Sequence, residues 1–256
     1  MARFDVDSTP VPRLAGRMRL IQGGRDADTP SGPAPFSPVH KAGRPEVPAA
    51  TTLCAIVGGT GLSGKLDLLA RLVTRVDVLA LGGGIANSFL AAAGTEMGAS
   101  LCDHDLIGRT RTLLDKAKAC GCELLLPVDV VVASEAREGA EDRIVPCSAI
   151  GPEDMVLDIG PATVTRFTAR IEAAHTVLWT GPLGVYEIAP FDGGTNALAW
   201  FIARRTRDAG LFSVAAGADT LAALAAAGVT DRFSDLASRE SLAARLDGPA
   251  TRAVPA

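Results

Sequence analysis

Seven consecutive residues, Gly59-Thr60-Gly61-Leu62-Ser63-Gly64-Lys65, match the G-x-x-x-x-G-K spacing of a phosphate-binding loop. The chemistry of such a loop needs those residue types. Glycines let backbone N–H groups come close to an anion. The lysine adds a full positive charge, and the start of the following helix adds a partial one. A hydroxyl residue normally follows the lysine to hold magnesium. Here Leu66 stands in that place, and an aliphatic side chain cannot ligate a hard cation. Taken by themselves, these residues fit a phosphate cradle or an ordinary strand-to-helix turn carrying a surface lysine.

The elements around the loop must hold it in place. The apolar run 53–57, LCAIV, stops at Gly58-Gly59 and reads as a buried strand. Residues 65–74 read as a helix with Leu66, Leu69, Leu72 and Val73 on one face. The rhythm then repeats. Further strands are expected at 76–81, 123–126, 128–133, 155–159, 176–179 and 211–215. Helices are expected at 85–93, at 106–119 with Asp103 or Asp105 as cap, and at 162–174 behind Pro161. More follow at 196–209, 218–227 and 239–246, with Gly210 and Gly228 as stops. Residues 134–149 are polar and read as a surface excursion.

Strands separated by helices predict an α/β fold, a Rossmann-like three-layer sandwich with a parallel sheet and right-handed crossovers. In such sheets a ligand sits beyond the carboxyl ends of the strands. Those ends here read GGTG, GGG, DIGP, TGPLG and AGAD. One glycine turn is a weak signal, whereas five in register on one edge predict a site.

Composition narrows the class. The chain has 256 residues, 48% of them hydrophobic, enough for a sizeable core. A net charge of −4 with mixed signs gives no support for a nucleic-acid partner. No apolar run is long enough to span a bilayer and no secretory signal is visible, so no membrane association is expected. Five cysteines, an odd number, argue against a disulfide framework, and Cys120-Gly121-Cys122 lacks zinc-site spacing. A reducing cytoplasm fits. Residues 1–50 hold eight of the sixteen prolines and read as a mostly disordered arm. Residues 51–247 read as the folded domain and 248–256 as a loose tail.

From about Leu53 to about Phe233 the chain resembles the C-terminal, nucleotide-binding domain of the phosphoglycerate kinase family. The motifs that carry the resemblance are LLLPVDVVVA (124–133), LDIGP (157–161) and WTGPLGVYE (179–187), with GGGIANSFL (82–90) and FSVAAGADT (212–220). The resemblance implies binding of ATP or ADP with magnesium. It also implies phosphoryl transfer between the nucleotide and 3-phosphoglycerate or 1,3-bisphosphoglycerate, a glycolytic step with a carboxyl acceptor. Carried over by position, Gly82 and Gly83 with Gly160 would border adenine, and Glu187 would accept hydrogen bonds from the ribose. Gly181, Pro182 and Val185 would shape that wall, and Asp219 would hold magnesium. Thr220 and the backbone after Gly217 would meet the phosphates, as would Gly59. Lys65 would neutralise phosphate charge, which makes Lys65 and Gly217 the catalytic candidates. Without the resemblance, Glu187 reads as a solvated loop acid and Asp219 as a helix cap.

The departures matter as much. The family's first turn, G-G-A-K-x-x-x-K, has two lysines, and here the first is Gly61. W-N-G-P becomes W-T-G-P with Thr180, and G-G-G-D-[ST] becomes Ala216-Gly217-Ala218-Asp219-Thr220, whose added methyls are expected to crowd phosphate. The S-T-G-G-G-A loop is replaced by SDLASRESLAA, and the substrate-binding N-terminal domain is not recognisable in the sequence. These residues predict a degenerate, monomeric, single-domain pseudoenzyme that binds nucleotide weakly, with a separate chain as the source of any substrate lobe. The alternatives are a nucleotide-sensing or scaffolding protein, a P-loop-like small-molecule kinase that Leu66 disfavours, and a remnant with no ligand.

Overall fold

The computed structural model describes residues 52–238 and 241–242. The expected arm at 1–50, most of the expected helix at 239–246 and the tail at 248–256 lie outside the described residues.

LCAIV forms β1 (Leu53–Val57), buried along nearly its whole length. A 3-10 turn (Ser63–Lys65) leads into α1 (Leu66–Leu72). Then come β2 (Val78–Leu81), α2 (Gly83–Ala92), α3 (Ile107–Ala119) and β3 (Glu123–Leu125). The next strands are β4 (Asp129–Ala133), β5 (Arg143–Pro146) and β6 (Met155–Ile159). The chain continues through α4 (Pro161–Glu172), β7 (Thr176–Thr180), α5 (Gly193–Ala209), β8 (Phe212–Ala216), α6 (Ala218–Ala226) and β9 (Asp235–Ala237). Pro161 opens α4 and Gly210, at φ +69°, ends α5, both as the sequence predicts.

The main sheet has six strands in the order β3-β2-β1-β7-β8-β9, all parallel. Alternation on β1 feeds two cores. Cys54 and Ile56 pack with Trp179, Phe167, Leu198 and Leu224 beneath α4, α5 and α6. Ala55 and Val57 pack with Leu69, Phe89 and Leu113 beneath α1, α2 and α3.

Several expectations need correction. The strands expected at 128–133 and 155–159 do not join the parallel sheet. They form a separate antiparallel sheet in the order β5-β4-β6. The reason is connection length: only residues 126–128 separate β3 from β4, and a parallel crossover takes about a dozen residues or more. The expected surface excursion at 134–149 supplies β5, whose single buried residue, Val145, leaves almost no periodicity to read. Conversely β9 is a sixth parallel strand that the sequence reading did not expect, since three residues with one buried carry no pattern.

The expected cap at Asp103 or Asp105 is also absent. A 3-10 turn (His104–Leu106) precedes α3, and the Asp103 carboxylate instead accepts the Leu62 N–H at 2.8 Å. Among the described residues no helix is long and apolar enough to cross a membrane.

Candidate nucleotide site at the strand carboxyl ends

The turns after β1 and β7 are fused backbone to backbone. Gly58 N–H donates to the Thr180 carbonyl at 2.9 Å, and Gly59 N–H to the Pro182 carbonyl at 2.8 Å. The fit allows no side chain. A Cβ on Gly58 would stand 1.9 Å from the Pro182 oxygen, and one on Gly181 (φ +88°) 2.2 Å from the Gly58 oxygen. The turn after β2 closes on the same place, with Gly82 N–H on the Val57 carbonyl and Gly83 N–H on the Leu183 carbonyl, both at 3.0 Å.

Lys65 occupies this junction. Its Nζ donates to the Gly58 carbonyl and lies against the α-carbons of Gly59 and Gly181, and the residue is only 6% exposed. The surface-lysine alternative is therefore overturned. The 3-10 turn swings the side chain back over the loop it follows.

The turn after β8 is tied in by Thr220. Its hydroxyl donates to the Ala216 carbonyl at 2.7 Å and accepts the Gly181 N–H at 2.6 Å. That hydroxyl is consumed inside the protein, so Thr220 sets the position of the Gly181 turn. Gly217 caps α6 at φ +93°, and the N-terminal, partly positive end of α6 opens on this edge. The Thr180 hydroxyl is buried and has no hydrogen-bond partner among the described residues. Ala216 is wholly buried in the core, so its methyl does not crowd a ligand as the sequence suggested. Only Ala218 is exposed there.

Glu187 and Asp219 are both exposed, and both act on Tyr186. Burial raises the Tyr186 phenol first, then the charge and hydrogen bond of Glu187, then the charge of Asp219. The charges of both acids, one beside Tyr186 in the chain and one in the first turn of α6, are thus felt at one phenol. Tyr186 was not among the expected site residues, although it stands inside the WTGPLGVYE motif.

The Glu187 loop is anchored from below by Asp158, which the sequence reading did not single out. Its carboxylate accepts the Gly194 N–H at 2.6 Å and the Ile159 N–H at 2.8 Å, and Gly184 packs against it. Val185 N–H donates to the Leu157 carbonyl at 2.9 Å on the same strand. Burial pushes the Asp158 carboxyl up to about 7, against the two N–H donors, with the Asp192 charge adding to the rise.

Gly160 has different surroundings. It is packed on Asp129, whose carboxylate caps α4 by accepting the Ala162 and Thr163 N–H groups at 3.0 and 2.7 Å. A further unexpected residue is Leu101, 56% exposed, which lies 3.2 Å from where a Cβ on Gly84 would stand. A lone leucine in a polar stretch gave no signal for it.

Magnesium is commonly held by one or two carboxylates together with phosphate oxygens, so an exposed Asp219 in the first turn of α6 fits that need. Among the described residues no cluster of three His, Cys, Asp or Glu could hold a metal by protein ligands alone. The five cysteines form no disulfide among the described residues. Burial pushes Cys54 up to about 12 and Cys147 up to about 11.

Comparison with known proteins bears on this arrangement. The family model "Phosphoglycerate kinase" matches residues 44–238. The chain is 50% identical over 191 residues to the phosphoglycerate kinase of Rhodospirillum centenum, covering 75% of this chain and 47% of that protein. It is 45% identical over 224 residues to that of Methylorubrum extorquens, covering 88% and 52%. The chain thus spans about half the length of the curated relatives it matches. The structure of phosphoglycerate kinase from Coxiella burnetii superposes with a TM-score of 0.72 at 37% identity, covering 78% of this chain and 50% of that one. The enzyme from Pyrococcus horikoshii shares the fold, with a TM-score of 0.58 at 21% identity.

Proposed function

Because the chain belongs to the phosphoglycerate kinase family, we propose that its described domain is an adenine-nucleotide-binding lobe that binds Mg·ADP or Mg·ATP weakly and does not turn over alone. The observation that carries this reading is the placing of Lys65, a cation buried where the β1 and β7 turns cross. That places an ammonium at the carboxyl ends of the strands, the edge where the resemblance puts the phosphates, and a site that receives phosphate charge would use it there.

Gly82, Gly83 and exposed Leu101 would line the base, Glu187 would accept from the ribose, and Gly59, Gly217 and the start of α6 would face the phosphates. Asp219 would hold magnesium, which would offset phosphate charge. Gly160, which the resemblance puts beside the base, is packed on the Asp129 carboxylate at the start of α4. Weakness follows from what stands at the phosphate end: Gly61 brings no charge, Thr180 brings a short hydroxyl, and Ala218 brings a methyl. The family reaction also needs an acceptor site, which the resemblance places in the half of the relatives that this chain does not match. A separate chain is the proposed source of that lobe. Otherwise the protein is read as a cytoplasmic monomer.

Calorimetry with Mg·ADP and Mg·ATP tests this. Binding weakened about tenfold by Glu187→Ala, and less by Lys65→Ala, is the expected result. No heat from either nucleotide at millimolar concentration overturns the reading. A larger loss from Lys65→Ala means the phosphate end dominates after all.

A further inference from the structure

Helix α5 buries Leu198, Ala199, Ile202 and Ala203 against the sheet. On its other side Ala197, Trp200, Phe201, Arg204 and Arg207, joined by Arg232 from the 3-10 turn Thr230–Arg232, line a groove of about 500 Å³. The stripe is roughly 15 Å long at the rise of an α-helix. Trp200 is 49% exposed in it.

Two of the cations are pre-positioned. The Arg232 guanidinium lies 5.1 Å from the Trp200 ring centre, and that of Arg204 lies 5.7 Å from Phe201. A guanidinium held over an aromatic ring by this attraction still has N–H groups left to donate. Among the described residues neither of these two guanidiniums is hydrogen-bonded or ion-paired. Arg207 differs, since Asp208 closes its fork at 2.6 and 3.0 Å.

The lining is aromatic residues, arginine and alanine, with no lysine. Aromatic residues and arginine are the types enriched at the centres of protein interfaces, where lysine is depleted. The sign is also informative. In a chain of net charge −4, a local cluster of arginines is where an acidic partner would be attracted and from where the rest of the surface would repel it. An open groove running along a helix suits an extended or helical segment better than a compact solute.

We propose that this groove docks an acidic segment of a partner protein, with carboxylates on Arg204 and Arg232 and an apolar side chain beside Trp200. This inference is independent of nucleotide binding, because it uses the outer face of α5 and none of the strand-end residues.

The test is fluorescence anisotropy on the full chain, with a fluorescein-labelled peptide of glutamates around a central leucine as the probe. Arg204→Glu combined with Arg232→Glu is expected to weaken binding by at least about tenfold, and Trp200→Ala by several-fold, with the melting temperature unchanged. If the charge reversal impairs folding, Arg204→Gln with Arg232→Gln reads the same loss. No binding at millimolar peptide overturns the proposal, as does binding that these variants leave unchanged. Displacement of the peptide by AMP or oligothymidylate at lower concentration than by unlabelled peptide also overturns it, and assigns the groove to nucleotides or nucleic acid.

Discussion

Gly61 is exposed, and a Cβ at that position would meet nothing within 4 Å. The position where the family resemblance puts a lysine therefore has room for one. Gly61→Lys is expected to raise Mg·ADP affinity by about tenfold, the size of one charge-assisted phosphate contact. Calorimetry on the single variant reads it, and an unchanged affinity would mean the phosphates do not pass this turn. Lys65 itself was legible from G-x-x-x-x-G-K spacing, but its burial was not, because the path of a side chain over a loop is a tertiary fact. Asp158 was hidden for the same reason: it lay inside a quoted motif, yet its partners Gly194 and Gly184 are far along the chain. It makes a pH prediction. Its carboxyl rises on folding from 3.8 to about 7, so the folded state binds the proton more tightly. Stability from this group is full below pH 4 and is lost as pH rises through 7, with a slope of at most about 1.4 kcal/mol per pH unit. Urea midpoints between pH 5 and 8 should fall in the native chain and stay flatter in Asp158→Asn. That variant is less stable throughout, since an amide leaves one backbone N–H facing another donor. Parallel slopes in the two proteins would remove Asp158 as the cause.

Elements come together here through a few side chains that reach across the strand ends. Thr220 is the clearest, joining α6 to the β7 turn through Ala216 and Gly181. Thr220→Val keeps the shape, removes both bonds and leaves a buried N–H without its acceptor, at a cost of about 1–3 kcal/mol. ADP affinity should fall with it, because the Gly181 turn carries one wall of the crevice. Thr220→Ser should restore both, and full nucleotide affinity in Thr220→Val would show that the turn holds without this tie. The central parallel strands β1, β2, β7 and β8 were readable because each is a largely apolar run followed by a glycine turn, a pattern that buried strands impose. The β5-β4-β6 sheet was not. Val130 and Val132 face Leu90, Met97 and Val145, while Val131 joins the cluster around Phe191, so β4 is apolar on both sides like a parallel strand. Only its short connection to β3 betrays the difference. That small sheet matters to the site, since β6 supplies Asp158 and Leu157 to the loop carrying Tyr186 and Glu187.

At the scale of the whole molecule the question is whether this chain catalyses the reaction of its family. Phosphoryl transfer asks little covalent chemistry of a protein and a great deal of positioning and charge stabilisation. Each good stabilising donor removed costs typically about 10² to 10³ in rate. The phosphate end here has one lysine where the family resemblance gives two, and Thr180 in place of an asparagine. Those losses need not add, since donors around one phosphate act together. The acceptor is the larger requirement. A trianionic substrate must be held in line with the nucleotide, and closure of two lobes must exclude water. Among the described residues the arginine-lined groove lies on the outer face of α5, where it cannot face the strand ends. The purified 256-residue chain should therefore show no measurable turnover in a coupled assay with saturating Mg·ATP and 3-phosphoglycerate. Adding the isolated N-terminal lobe of an active relative tests whether the nucleotide lobe is competent when an acceptor site is supplied. Gly61→Lys should improve that reconstituted rate before it improves the chain alone. Turnover by the chain without any added lobe, abolished by Asp219→Ala, would overturn the degenerate reading and make this domain a working minimal kinase.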